Sequence, residues 1–197
     1  MINLMNILKT KPVMLNNSNL VINSFNFKSR KFFQITSETT IRTPPGNIWK
    51  TLTRAQHLKY FNPYVKKHES ENLTNIGYID SCVYYNGKEL NRELISYEER
   101  KKIQFKIYFK QPKNNSSTTF EIIQKKKSKK TGFRLTIETD AYKNIPRPLW
   151  HIIAYFFLIP SFKKYMNSVV NGMKYHCETG KKVYKNQFGF HKKYSTK

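Results

Sequence analysis

The chain has 197 residues, enough for one domain with a sizeable core, and an aromatic content of 15% excludes wholesale disorder. Its formal charge of +24 invites a polyanionic partner, either nucleic acid or an anionic membrane surface. Lys far outnumbers Arg while Asn, Ile, Tyr and Phe are abundant, so compositional drift on solvated faces explains the excess equally well.

Cys82 and Cys177 are too few for a disulfide framework. The five histidines lack ligand spacing, so no metal and no cofactor is expected. Cysteine usage suits a reducing compartment, and a cytoplasmic location is the expectation. From Met1 to Ser37 there is no acidic residue, while Lys9, Lys11, Lys28, Arg30 and Lys31 are basic. Residues 1–31 therefore read as a disordered or loosely docked arm, or as an organellar presequence.

The first expected element is a strand from Phe32 to Arg42. Thr43-Pro44-Pro45-Gly46-Asn47 stops it, and Ile48–Leu52 starts a short helix with Trp49 and Leu52 on one face. A second helical piece, Ala55 to Phe61, ends before Pro63. Strand patterns follow for some eighty residues. Asn86-Gly87 between alternating runs predicts a two-residue type I′ hairpin, with Tyr85 opposite Lys88, Val83 opposite Leu90, Ser81 opposite Arg92 and Ile79 opposite Leu94.

A turn at Glu98–Lys101 then sets Ser96 opposite Ile103, Leu94 opposite Phe105, Arg92 opposite Ile107 and Leu90 opposite Phe109. Two turns thus select one apolar face, on which Arg92 is the anomaly. Phe120 and Ile122 mark a further strand, and Phe133, Leu135 and Ile137 another. Between them lies a basic loop with Lys125, Lys126, Lys127, Lys129 and Lys130.

The apolar run Leu149–Ile159 is cut by Pro160, too short for a membrane span, and reads as a core or interfacial segment. Ser161 to Lys182 reads as a long helix ending near Gly180, with Phe162, Met166, Val169, Met173 and His176 at helical spacing. A single sheet cannot bury its own apolar side, so this helix is the expected cover.

That order of elements resembles the helix-grip fold of the START and Bet v 1-like (SRPBCC) superfamily, which includes polyketide cyclase and lipid-transfer-like proteins. The likeness is carried by Glu38–Trp49 with Leu58–Pro63, by Gly77-Tyr78-Ile79-Asp80, by the hairpin with Leu94–Tyr97, and by the last helix; Thr179–Gly189 looks like the ending of uncharacterised bacterial members. The resemblance implies an α+β domain over residues 32–183, followed by a basic tail at 184–197. A curved antiparallel sheet would wrap the final helix around a cavity for an apolar or amphipathic small molecule. On the register above, its walls would be Ser81, Arg92, Leu94, Phe105, Ile107, Phe120, Phe133, Leu135, Ile137, Met166, Val169, Met173 and His176.

Arg92 in such a place has four readings: a pair with a carboxylate from the helix or a loop, a cap on helix carbonyls, a site for an anionic head group, or a bulge turning it to solvent. Three functions remain open. The first is non-catalytic binding or transport of a hydrophobic small molecule or lipid. The second is cyclase or dehydratase chemistry, with His57 and His176 approaching the same cavity and Tyr60, Tyr84 and Tyr108 as further polar edges. The third is a basic module for anionic membrane or, less favoured, nucleic acid, resting on charge alone. Oligomeric state is not legible.

Overall fold

In the computed structural model the described residues are 22–29, 32–73, 75–109, 116–124, 130–140, 149 and 152–197. Eight strands among them form one antiparallel sheet: β1 (Ile22–Ser29), β2 (Phe32–Ile41), β3 (Val65–Glu69), β4 (Ile79–Tyr84), β5 (Glu89–Glu98), β6 (Lys102–Tyr108), β7 (Ser116–Gln124) and β8 (Thr131–Thr139), in spatial order β1-β2-β8-β7-β6-β5-β4-β3. Two short helices, α1 (Pro45–Thr53) and α2 (Leu58–Phe61), separate β2 from β3, and α3 (Ile159–Thr179) follows a π-helical turn at Ala154–Leu158. The sheet begins ten residues before the Phe32 start expected from sequence, because β1 pairs with β2 from Ile22↔Glu38 to Ser29↔Phe32.

Pro45 opens α1 where its missing N–H costs nothing, and Ile48, Trp49 and Leu52 turn inward. Trp49 meets Tyr97 edge-on, with ring centroids 5.2 Å apart. β2 closes the sheet against β8, with Ile35↔Ile137, Ser37↔Leu135 and Thr39↔Phe133. α3 lies on the concave face, burying Met166, Val169, Val170 and Met173. It stops at Gly180, whose φ of +72° favours glycine and whose amide bonds to the His176 carbonyl at 2.8 Å.

The expected hairpin register between β4 and β5 is wrong by one residue. The loop has three residues, Tyr85-Asn86-Gly87, closed by Tyr84 N–H to Lys88 O at 2.8 Å and Gly87 N–H to Tyr84 O at 3.0 Å. Gly87 has a φ of +80° and Asn86 does not share a positive φ, so the type I′ geometry is not adopted. The pairs are Asp80↔Arg92, Ser81↔Asn91, Cys82↔Leu90 and Val83↔Glu89. A one-residue slip turns a whole strand over. Asp80, Cys82 and Tyr84 therefore face the core, Ile79 is exposed, and Ser81 lies on the outer face, not beside Arg92.

Between β5 and β6 the expected pairs Arg92↔Ile107 and Leu94↔Phe105 are present, but Ser96 opposes Gln104 and Tyr97 opposes Ile103. A bulge between Leu94 and Ser96 absorbs the extra residue. The stretch after α3 is not an extension into solvent. The Val183 amide donates to Tyr60 O at 3.0 Å and the Asn186 amide to Pro63 O at 3.1 Å, and His191 and Ser195 are buried.

Gly172 lets α3 cross the end of α2 at backbone distance: a Cβ there would run into the Phe61 carbonyl. Neither backbone can yield without moving a packed helix. Gly172→Ala is therefore expected to lower unfolding free energy by about 3 kcal/mol despite its better helix propensity, as measured by urea denaturation.

Candidate functional site

Arg92 sits on the inward face of β5 and is buried, with Asp80 directly opposite on β4. Its Nε donates to Asp80 Oδ1 at 2.7 Å and its Nη2 to Asp80 Oδ2 at 2.5 Å, a two-pronged pair that matches the planar guanidinium. The Arg92 carbon Cζ lies 4.2 Å from the centre of the Phe105 ring. Two buried histidines complete the cluster. His57, from the turn before α2, brings Nε2 to 3.1 Å from Nη2, and His68, from β3, brings Nε2 to 2.9 Å.

The Leu58 amide donates to His68 Nδ1 at 3.3 Å, which places the proton of a neutral His68 on Nε2, 3.3 Å from Asp80 Oδ2. Nη2 has two hydrogens, one for Asp80 Oδ2 and one for His57 Nε2, so the 2.9 Å approach of His68 Nε2 is a close contact and not a third hydrogen bond. The buried Nδ1 of His57 is left without a well-formed hydrogen bond. Burial, and then the Arg92 charge, hold His57 well below its ordinary pKa. Burial likewise lowers His68, against the opposing pull of Asp80. Burial by itself would raise the Asp80 carboxyl, but Arg92 and the His68 N–H hold it far below the usual carboxylate range. At neutral pH the cluster is therefore one cation, one anion and two neutral imidazoles.

Between α3 and the inner faces of β5 to β8 lies a cavity of about 300 Å³. Arg92, Ile107, Phe120, Leu135, Ile137 and Val169, all expected at its walls, line it. Leu94, Phe105, Phe133, Met166 and Met173 are buried in the core behind those walls. His176 lies about two helical turns beyond Val169, outside the cavity: its Nδ1 lies 2.8 Å from the Lys181 carbonyl, and its ring rests on Tyr60. Ser81 is excluded by the register slip. Lys130 is exposed at the start of β8, while Lys125, Lys126, Lys127 and Lys129 lie outside the described residues.

Of the tyrosines expected as polar edges, Tyr84 and Tyr108 line the cavity and Tyr60 does not, while Tyr165 and Asn62 were missed from sequence. Tyr84 on β4, Tyr165 on α3 and Asn62 after α2 meet there: the two phenol oxygens are 3.2 Å apart, and Asn62 Nδ2 donates to Tyr165 Oη at 3.3 Å. Burial, and then the neighbouring Tyr165, hold the Tyr84 phenol well above its ordinary pKa, so it stays protonated. Tyr194, near the chain end, packs on Tyr165 and Tyr84 at 4.6 and 4.8 Å between ring centroids and closes this side. An adjoining hollow of about 270 Å³ shares Phe109, Phe162 and Tyr194 with the cavity and adds Lys88, Ser161 and Lys193. The available signal was parity: Tyr84 and Asp80 share a face, so a three-residue loop turns both inward together.

Neither thiol is poised as a nucleophile, since burial pushes Cys82 up to about 12 and Cys177 up to about 11. Among the described residues no cluster of His, Cys, Asp and Glu is arranged to hold a metal ion.

A curved antiparallel sheet gripping a long final helix, with two short helices after the strand that starts the wrap, is the helix-grip architecture of the START and Bet v 1-like (SRPBCC) fold. Solved structures agree with that assignment. A conserved protein of unknown function from Enterococcus faecalis is similar at a TM-score of 0.57 and 16% identity, over 83% of this chain and 81% of that one. The Aha1 dimer from Colwellia psychrerythraea is similar at a TM-score of 0.56 and 15% identity, over 75% of this chain and 97% of that one. The ginseng major latex-like protein 151 from Panax ginseng reaches 0.52 and 12%, over 74% and 97% of the two chains. No protein-family model matches the sequence, and no curated protein matches it.

Asp80→Asn is expected to cost about 3–5 kcal/mol in urea unfolding by leaving the Arg92 charge uncompensated. Replacing both partners, Asp80→Leu with Arg92→Met, should recover much of that loss, because no buried charge then remains.

The histidines add a pH dependence. Their folded pKa values lie below the unfolded value of 6.5, so the unfolded chain binds more protons once pH falls beneath it. Stability should be flat above about pH 7 and decline as pH drops from 6.5 toward 5, a decline that His57→Gln should make shallower in thermal melts. The Asp80 contribution, from a depressed carboxylate, is lost only below its ordinary 3.8.

Proposed function

We propose that the protein binds a small amphipathic molecule in the cavity beneath α3. The observation that carries this is the make-up of the cavity wall. One side is aliphatic and aromatic, formed by Ile107, Phe120, Leu135, Ile137 and Val169, and the other presents Arg92, Tyr84, Tyr165 and Asn62. A few convergent polar groups in an apolar pocket give a ligand both affinity and orientation. At about 300 Å³ the space equals roughly ten water volumes, the small end of the range for ligand sites. A compact ring system suits it better than a long acyl chain.

The polar edge defines the complementary ligand group. Arg92 is cationic and the two phenols are protonated donors, so the ligand would present an acceptor such as a carbonyl, phenolate or carboxylate toward β4 and β5. Because Asp80 already neutralises Arg92, the guanidinium orients an acceptor more than it attracts a net charge. Catalysis by the histidines expected to approach the cavity finds less support: His176 is held elsewhere, and His57 lies behind Arg92.

Anilinonaphthalene sulfonate, an aromatic anion of suitable size, is the probe for a titration followed by fluorescence. Val169→Trp, which fills the cavity from α3, should weaken its binding about tenfold or more while the far-ultraviolet circular dichroism stays unchanged. Ile107→Trp, filling from β6, should do the same. Equal binding by both filled variants would remove the cavity as the site.

A further inference from the structure

The turn that leads into α3 is turned inside out. Ile152, Tyr155, Phe156 and Phe157 are exposed by 53%, 61%, 64% and 68%, while Ala154 and Leu158 are buried. Tyr155 and Phe156 hold each other edge-on at 5.2 Å between ring centroids, so the aromatic surface is ordered outward. An apolar patch of this kind on a polar chain marks an interaction surface.

Its shape discriminates between partners. A helix partner requires a seam at i, i+3 and i+4. Here three successive residues point in different directions around a widened π turn, which suits immersion in a medium better than docking into a groove. The residue types agree, since tyrosine is enriched at the membrane–water boundary and phenylalanine on the buried face of segments that lie in it. The surrounding charge agrees too. From Ala141 to Cys177 the sequence contains no Asp or Glu, and Lys163 and Lys164 come six and seven residues after Phe157. Such a surface is complementary to anionic head groups.

We propose that Tyr155, Phe156 and Phe157 dock the protein on an anionic lipid bilayer by shallow insertion of the aromatic turn. Among the described residues no helix is long and apolar enough to cross a membrane, and the proposed contact is a shallow one at the lipid surface. The position of the patch gives docking a purpose. Phe162, about 7.5 Å further along the helix by its rise per residue, lines both the cavity and the adjoining hollow, as does the exposed Phe109. Docking would set that opening at the lipid surface, so an apolar ligand could pass without crossing water. This last step rests on the cavity being a ligand site; the docking itself does not.

Flotation of the full chain with vesicles is the test. One set contains phosphatidylcholine alone and the other adds phosphatidylglycerol, at low and high salt. The wild-type chain is expected to float with the anionic vesicles and to be released progressively by salt. Phe156→Ser combined with Phe157→Ser removes no core contact and should reduce partitioning about tenfold or more, with unchanged melting temperature and unchanged binding of anilinonaphthalene sulfonate in the cavity.

Equal flotation of the double variant would overturn the proposal, as would failure of the wild-type chain to float with either vesicle. A dimer in light scattering that the double variant abolishes, without flotation, would reassign the patch to a second copy of this chain. Loss of probe binding in Val169→Trp with flotation intact would separate the cavity from the docking surface.

Discussion

A buried guanidinium is the constraint around which this half of the molecule is arranged. Arg92 cannot lie on an apolar sheet face uncompensated, and the compensation comes from three different segments. Asp80 supplies the charge from β4, His57 an acceptor from the turn before α2, and His68 a third contact from β3. Because each group must meet the same nitrogen, the cluster fixes the β4–β5 register, docks the short helices onto the sheet and holds the far strand in place. The Asp80 carboxylate and His57 Nε2 accept from Nη2, and His68 packs beside it with its Nε2 toward the same carboxylate. Phe105 covers the remaining face, and the walls that hold the charge also bound the cavity.

The cavity exists because the sheet and α3 cannot approach equally along their length. Near the C-terminal end of the helix, Gly172 allows backbone contact with α2, and Met166, Val170 and Met173 fill the interval. Toward the N-terminal end the filling side chains are fewer. There Phe162, Tyr165 and Tyr194 roof a space that the strands below leave open. The chain end closes one side, tied by Asn86 Nδ2 to the Lys193 carbonyl at 2.6 Å and by the Tyr64 hydroxyl to the Gly189 carbonyl at 2.9 Å. The hairpin loop and the last residues thus act as one wall, although more than a hundred positions separate them.

The same helix joins the two surfaces of interest. Its residues Phe162, Tyr165 and Val169 line the cavity, and the π turn before it leaves Tyr155, Phe156 and Phe157 exposed. Pro160 stands between the two stretches at a position where a helix tolerates its missing N–H. The cavity roof and the exposed aromatic turn are therefore carried by one continuous helical stretch.

The sequence by itself determined the faces of β5 to β8 and the identity of the covering helix, because alternation along a strand and the 3.6-residue period along a helix are local properties. Leu90, Arg92 and Leu94 share a face whatever strand lies beside them, so Arg92 was legible as inward-facing even from a wrong register. The Gly180 stop was equally local. The inward face of β4, which carries Asp80 and Tyr84, was not legible, because its parity depends on the number of residues in the loop. That number was decided by tertiary contacts: Asn86 keeps negative φ, accepts the Lys88 amide at 3.2 Å and reaches the distant chain end with its own amide. His68 and His57 could not be assigned to Arg92 from spacing, since they come together only when three segments fold onto one guanidinium. Nor could the apolar run before Pro160 reveal its orientation. Hydrophobicity says that a segment avoids water, and only the packing of its neighbours decided that Tyr155, Phe156 and Phe157 would be left facing it.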